Sequence, residues 1–323
     1  MGTAKGKKVL VTGGGGFVGL ALVKRLVREG FEVTSFSRKR YSVHQELGIN
    51  TVIGDITDAH VVKKACKGVD VVFHTAAKVE MWGRYKNFYD VNVVGTENII
   101  EACIENEVPH LVFTSSASVV FDGNDIEGKD ETLPYPDKGE SHYAHTKMLA
   151  EQRVVQASGE KLKTISLRPH LIYGPGDTQL VPRIIEKAKS GRIRRIGKKQ
   201  CLIDTTHIDN FTEAQMQAYE KLVSGSGVSG KAYFITNGQP IETWEFINGI
   251  LKENNLTPVQ RTVPKWLALT VAALFEITCR ITGRPPLLTQ FLVKEMSTSH
   301  WFDISAAKRD LQLLHQPVQN RNQ

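Results

Sequence analysis

The 323-residue sequence predicts an α/β fold, a Rossmann-type doubly wound parallel sheet carrying a smaller C-terminal substrate-binding region. Two observations lead there. Short apolar runs alternate with longer segments whose apolar residues recur at three and four, and the first run passes through a glycine-rich turn into a helical pattern.

Taken in order, Lys8–Thr12 reads as the first buried strand and Phe17–Glu29 as the helix that follows it. Glu32–Phe36, Thr51–Gly54 and Asp70–His74 are the next strands, Asp90–Glu105 a helix, and His110–Ser115 and Thr164–Leu167 two further strands. Apolar residues on both faces of such strands require helices on both sides, joined by right-handed crossovers. Beyond about Tyr173 the rhythm breaks into loops, prolines, a basic run and scattered helices. The expected division is therefore a dinucleotide-binding unit over 1–172 and a mainly substrate-binding region over 173–323, with about 203–212 returning to the first unit. Such a region sits at the carboxyl edge of the sheet, where open α/β sheets bind ligands.

Composition narrows the classes. With 41% hydrophobic and 23% charged residues the chain buries a sizeable core and is neither disordered nor collagenous. Cys66, Cys103, Cys201 and Cys279 stand far apart, without zinc or redox spacing, as in a reduced cytoplasmic protein. The N-terminus, with Lys5, Lys7 and Lys8, runs straight into a strand and shows no secretory pattern, and no apolar run reaches the roughly 18 residues of a membrane span. A net charge of +7 favours anions without implying nucleic acid. The basic cluster Arg192, Arg194, Arg195, Lys198 and Lys199 and the acidic stretch from Asp122 to Glu140 read first as solvated surface.

The segment Thr12-Gly13-Gly14-Gly15-Gly16-Phe17-Val18-Gly19 has glycines in G-x-x-G-x-x-G spacing between strand and helix. Glycine there permits a tight turn and close approach to a pyrophosphate, while the helix start offers unpaired N–H groups. Gly13, Gly16, Phe17, Val18 and Gly19 are thus candidate cofactor contacts. After the second strand comes Phe36-Ser37-Arg38-Lys39-Arg40, with no carboxylate to accept hydrogen bonds from a ribose and three cations to meet a 2′-phosphate. Ser37 and Arg38 therefore point to NADP (NADPH) over NAD, with NAD as the second choice.

Of eight tyrosines only Tyr143 has a lysine four places on, Lys147, at the start of a helical pattern. The pair shares a helix face, and an ammonium near a phenol lowers its pKa towards neutrality. Thr114-Ser115-Ser116 ends the fifth strand at the carboxyl edge, where a hydroxyl polarises a carbonyl held beside a nicotinamide.

At this point the chain resembles the extended short-chain dehydrogenase/reductase family over nearly its whole length. The matching stretches are Thr12–Gly19, Gly54-Asp55-Ile56, His74-Thr75-Ala76-Ala77, Asn92–Thr96, Thr114–Ser116, Tyr143–Lys147 and Leu167-Arg168-Pro169 through Gly176. The resemblance implies Ser116, Tyr143 and Lys147 as the catalytic set, with Ser115 the fallback for Ser116. It also places Asp55 and Ile56 at the adenine, Ala76 and Ala77 along the cofactor ribose, Pro169 near the nicotinamide, and Asn92 in support. From Asp70 to Arg153 the likeness is strongest to the 3β-hydroxysteroid dehydrogenase branch. Sugar-nucleotide epimerases match less well, since an asparagine is usual where this chain has Leu171. Within the branch, Trp82-Gly83, Leu180–Arg183, Ile208-Asp209-Asn210 and Ser299–Phe302 resemble enzymes that reduce a long-chain 2-alkyl-3-oxo acid.

These expectations define an oxidoreductase reducing the 3-oxo group of a large apolar substrate, a β-keto acid or, alternatively, a sterol. A dinucleotide-sensing protein without catalysis is the alternative of another class. Lys265–Arg280 is strongly apolar, with Lys265, Glu276 and Arg280 on one stripe. Packing against the domain, a wall for an aliphatic substrate, or peripheral contact with a membrane would each cover it. His142 and His145 lack a third ligand, so no metal is expected, and His170 reads as a packed histidine. A homodimer is expected from resemblance alone, and a cytoplasmic location from the unpaired cysteines and the missing secretory pattern. The chain stops soon after Asp310-Leu311, where relatives usually add a helix, so edge packing is expected to differ.

Overall fold

The computed structural model describes residues 6–282 and 285–313; Lys5 and the Arg280 side chain lie outside what it describes. Seven parallel strands form the main sheet: β1 (Lys8–Thr12), β2 (Glu32–Ser37), β3 (Asn50–Ile53), β4 (Val71–His74), β5 (His110–Thr114), β6 (Lys163–Pro169) and β7 (Lys231–Ile235). Their order is β7-β6-β5-β4-β1-β2-β3, so the chain reverses direction across the sheet at β1, and a crevice opens over the carboxyl ends of β1 and β4. The first six strands fall within a residue or two of the expected positions; β1, β4 and β5 are runs of buried, mostly apolar residues, β2 and β6 mix buried apolar and polar residues, and β3 is partly exposed.

Helices cover both faces. On one, α1 (Phe17–Arg28) packs through Leu22 and Leu26 against Val9, Val11 and Phe73. On the other, α2 (Gly95–Glu105) buries Ile99 and Cys103, and α3 (His142–Gln156) buries Ala150 and Val154, against Leu10, Val72 and Leu111. Each fully buried leucine contributes about 2 kcal/mol from apolar surface removed from water. The expected helix over Asp90–Glu105 begins with a π-helical turn at Asp90–Val94, a wider coil that sets Asn92 inward. All four cysteines are free and buried.

The chain re-enters the main unit well beyond 203–212: α4 (Ile208–Val223) packs on the α1 face through Phe211 and Tyr219, and β7 extends the sheet beside β6. Conversely Ile126–Lys129 leaves it, joining a four-stranded sheet with Leu202–Ile203, Ile241–Glu242 and His300–Phe302. The C-terminal region closes over the crevice with α5 (Lys265–Thr282), which buries Ala268 and Ala272 but exposes Trp266, Leu274, Ile277 and Ile281. No helix among the described residues is long and apolar enough to cross a membrane.

Candidate active site

A cleft of about 2310 Å³ runs along the carboxyl edge of the sheet. It is larger than the roughly 300–1,000 Å³ usual for one ligand, leaving room for a dinucleotide and a second large molecule. At one end the backbone of Gly13 turns with φ +72°, and a Cβ there would lie 3.0 Å from the Ala76 backbone. A Cβ on Gly19 would stand 2.3 Å from the Gly13 carbonyl oxygen, so glycine lets α1 press against the end of β1. Gly16 caps α1 without a side-chain bond and no acid stands in the first turn, which leaves the N–H groups around Phe17 and Val18 for an anion. These features fit the pyrophosphate of a dinucleotide.

Further along, the Ser37 hydroxyl donates to the Lys39 carbonyl oxygen at 2.9 Å and so shapes the turn, while exposed Arg38 and Lys39 line the cleft. Asp55 is engaged locally, accepting from the Thr57 N–H at 3.0 Å and its hydroxyl at 2.9 Å. Buried Ile56 abuts Gly95. Ala76, Ala77 and Pro169 line the same cleft.

Beneath Ala76 lies a buried polar chain. The Ala76 N–H donates to Thr12 Oγ1 at 3.2 Å, and Thr12 Oγ1 lies 2.7 Å from His74 Nδ1. His74 Nε2 lies 3.0 Å from Thr96 Oγ1, which donates to the Asn92 carbonyl oxygen at 2.6 Å. Because Thr96 spends its proton on that carbonyl, His74 Nε2 carries the hydrogen and Nδ1 accepts. Burial, aided by the Lys147 charge, lowers the imidazole to about 3, so His74 is neutral. Asn92 then reaches the start of α3: it accepts from the Lys78 N–H at 2.7 Å and donates to Thr146 Oγ1 at 3.0 Å.

At the end of β5, Ser115 still follows the sheet, donating its N–H to the Leu167 carbonyl oxygen at 2.7 Å, and is buried at the cleft wall. Ser116 turns outward into the cleft, and its hydroxyl pairs with that of Ser118 at 2.9 Å. Ser141 caps α3 by accepting from the Ala144 N–H at 3.1 Å, which fixes the first turn and Tyr143 within it. Tyr143 and Lys147 share the cleft wall with Ser116. Burial pushes the Tyr143 phenol up to about 12, against the pull of its hydrogen bond with Ser116, and the nearby Glu295 carboxyl adds to the rise.

Lys147 differs from expectation. Its Nζ donates to the Thr114 carbonyl oxygen at 2.6 Å and stands 4.0 Å above the Phe113 ring. Burial lowers it to about 7, partly offset by Glu151. The spacing predicted an ammonium that lowers the phenol pKa; here burial destabilises the charged form of the amine, which bonds to the Thr114 carbonyl oxygen, and the Tyr143 phenol is raised instead. Spacing alone located the pair but carried no information about its desolvation.

The remaining wall adds residues that spacing did not single out. His300 Nε2 faces the Glu295 carbonyl oxygen at 2.7 Å, and its Nδ1 lies 2.6 Å from His170 Nε2. Leu171, beside His170, adopts φ +44°, a left-handed conformation rare for a branched apolar residue. Glu295 and His300 come from segments far from Tyr143 in sequence, and only the folded chain brings them near it. Ile184, Leu267, Val271, Phe275 and Phe291 make the far end of the cleft apolar.

A nucleotide-binding crevice ending in serine, tyrosine and lysine is the site of an NAD(P)-dependent oxidoreductase of the extended short-chain type. The model of the 3-beta hydroxysteroid dehydrogenase/isomerase family matches residues 10–265, and the chain belongs to that family. It is 42% identical to the 2-alkyl-3-oxoalkanoate reductase of Stenotrophomonas maltophilia (strain K279a), covering 94% of this chain and 93% of that protein. To the enzyme of the same name from Shewanella oneidensis the identity is 40%, over 95% of this chain and 82% of that one. The sterol-4-alpha-carboxylate 3-dehydrogenase, decarboxylating, of Mus musculus is 35% identical over 95% of this chain and 86% of its own length. Among solved structures, the crystal structure of gox2253 superposes with TM-score 0.78 at 26% identity, over 96% of this chain and 94% of that one. MoeE5 in complex with UDP-glucuronic acid and NAD, 22% identical over 96% of this chain and 94% of that chain with TM-score 0.74, shares the fold.

Proposed function

We propose that the protein interconverts a long-chain 2-alkyl-3-oxo acid and its 3-hydroxy counterpart, using NADPH for the reduction. The observation that carries this reading is the meeting of Ser116 and Tyr143 at a cleft whose far end is apolar. When bound, the nicotinamide supplies the hydride that goes to C3. The Ser116 hydroxyl holds the C3 oxygen, and Tyr143, protonated at neutral pH, passes it the proton. Lys147, within one helical turn, holds the cofactor ribose and steadies the proton balance of Tyr143 as it gives its proton up. Gly13, Gly16, Phe17, Val18 and Gly19 would cradle the pyrophosphate, Asp55 and Ile56 the adenine, and Ala76, Ala77 and Pro169 the ribose and nicotinamide side. Arg38, exposed in the cleft without a neighbouring acid, supports NADP as the preferred form.

The names of the relatives share one chemical pattern: a carboxylate on the carbon next to the one that is oxidised or reduced. Either an open chain or a sterol ring can present it, and the apolar wall of the cleft suits both. The exposed face of α5, where Trp266 is 68% and Ile281 82% accessible, supports peripheral contact with a lipid surface. A homodimer completes the reading.

The test is oxidation of a long-chain 2-alkyl-3-hydroxy acid beside a 3β-hydroxysteroid, each with NADP and with NAD, followed by nicotinamide absorbance. Turnover of the acid with NADP is expected. Turnover of the steroid alone would replace the substrate and leave the three catalytic residues in place.

A further inference from the structure

Glu295 ends the short helix Gln290–Glu295 and faces the same cleft as Ser116 and Tyr143. Among the described residues its carboxyl has neither a hydrogen-bond partner nor a cation; burial alone acts on it and raises it to about 8. A position at the carboxyl end of a helix also disfavours a negative charge. Its neighbour Lys294 is paired with Glu140. Among the described residues, Tyr143 from α3 stands near enough for the Glu295 carboxyl to raise it, and the His300 ring of the strand His300–Phe302 bonds the Glu295 backbone carbonyl.

The histidines hold this residue in place. A carbonyl oxygen only accepts, so His300 Nε2 donates its hydrogen to the Glu295 carbonyl; burial lowers both imidazoles and keeps them neutral, so His300 Nδ1 accepts from His170 Nε2. A directed chain thus runs from the cleft wall beside Pro169 to the backbone of Glu295.

We infer that Glu295 is a specificity-determining residue whose neutral carboxyl donates a hydrogen bond to the carboxylate of a β-keto or β-hydroxy acid held with its C3 oxygen at Ser116 and Tyr143. The assignment rests on the acid-substrate reading above. An ionised carboxylate there would repel such a substrate; a carboxylic acid binds it through a strong charge-assisted hydrogen bond. His170 and His300 are positioning residues for it.

The experiment compares kcat/KM for a 2-alkyl-3-hydroxy acid with that for the alcohol of the same chain lacking the carboxyl, across pH, in the wild type, Glu295→Ala and Glu295→Gln. The ratio of acid to alcohol cancels the titration of Lys147 and Tyr143, which serve both compounds. In the wild type this ratio falls as pH rises through about 8, as Glu295 loses its proton. Glu295→Ala is expected to lower the ratio at pH 7 about tenfold, the worth of one hydrogen bond to a charged group. Glu295→Gln, which keeps a donor and cannot ionise, is expected to remove the alkaline fall. Normal turnover of the acid with a ratio unmoved in Glu295→Ala, or an alkaline fall that persists in Glu295→Gln, overturns the assignment alone. Failure of the wild type to oxidise the acid overturns the substrate reading and this assignment with it.

Discussion

Glu151 and Arg168 form a buried ion pair, with Arg168 Nη2 2.7 Å and Nε 3.0 Å from Glu151 Oε1, that fastens α3 to β6. The Tyr135 hydroxyl also donates to Glu151 Oε1, at 2.7 Å, and the guanidinium lies 5.2 Å from the centre of the Phe234 ring. The helix that presents Tyr143 and Lys147 is thereby locked in height against the strand that ends at Pro169. Removing one partner strands the other charge in the interior. Glu151→Leu or Arg168→Met alone is expected to cost about 3–5 kcal/mol in urea unfolding, with the double variant recovering much of the loss. Equal loss in the single and double variants would mean that packing, not charge pairing, dominates.

Tyr143→Phe deletes the proton donor and little else. Its turnover is expected to fall by about 10²–10⁴-fold. NADPH affinity, read by quenching of tryptophan fluorescence, should stay close to that of the wild type. Ser116→Ala should fall less, since the Ser118 hydroxyl 2.9 Å from Ser116 Oγ remains nearby. Turnover by Tyr143→Phe at the wild-type rate would refute the proton-donor role.

Arg38→Ala tests the cofactor preference. Loss of one charge-assisted contact should weaken NADP about tenfold while leaving NAD within about twofold. Equal weakening of both forms, measured by titration calorimetry, would place Arg38 outside the phosphate site.

His74 makes stability depend on pH. Its folded pKa, about 3, lies below its ordinary 6.5, so only the unfolded chain takes up its proton between those values. Stability from this group is complete above about 6.5 and declines as pH falls towards 3, by up to about 1.4 kcal/mol per pH unit. In His74→Gln the slope of unfolding free energy against pH over that window should be shallower by that amount. An unchanged slope would show that other groups govern the acid side.

How much of this was readable in advance follows from what each residue depends on. Strands β1 to β6 and the turn at Gly13 are local: short stretches rich in apolar and β-branched residues, and glycines at fixed offsets, announce them. Ser116 and Tyr143 were legible because each sits at a strand end or a helix start that the pattern itself locates. β7 was not counted among the strands, because its place beside β6 is decided by pairing across a long stretch of chain. The same holds for Glu295 and His300, whose meaning comes from burial and from neighbours distant in sequence. The raised phenol of Tyr143 and the lowered amine of Lys147 belong to this class too. Desolvation is a property of the folded cleft, and an i,i+4 spacing is silent about it.

Leu171 carries a consequence for how the substrate range of this cleft can change. Its left-handed backbone, φ +44°, costs a leucine about 1 kcal/mol that glycine or asparagine would not incur. Replacements that reshape a binding wall ordinarily lose stability, and their spread is limited by it. At this position the exchange runs the other way: a more polar or roomier wall arrives together with a relaxed main chain. Exchange of Leu171 for asparagine or glycine would thus reshape the cleft wall and relax the main chain in one step.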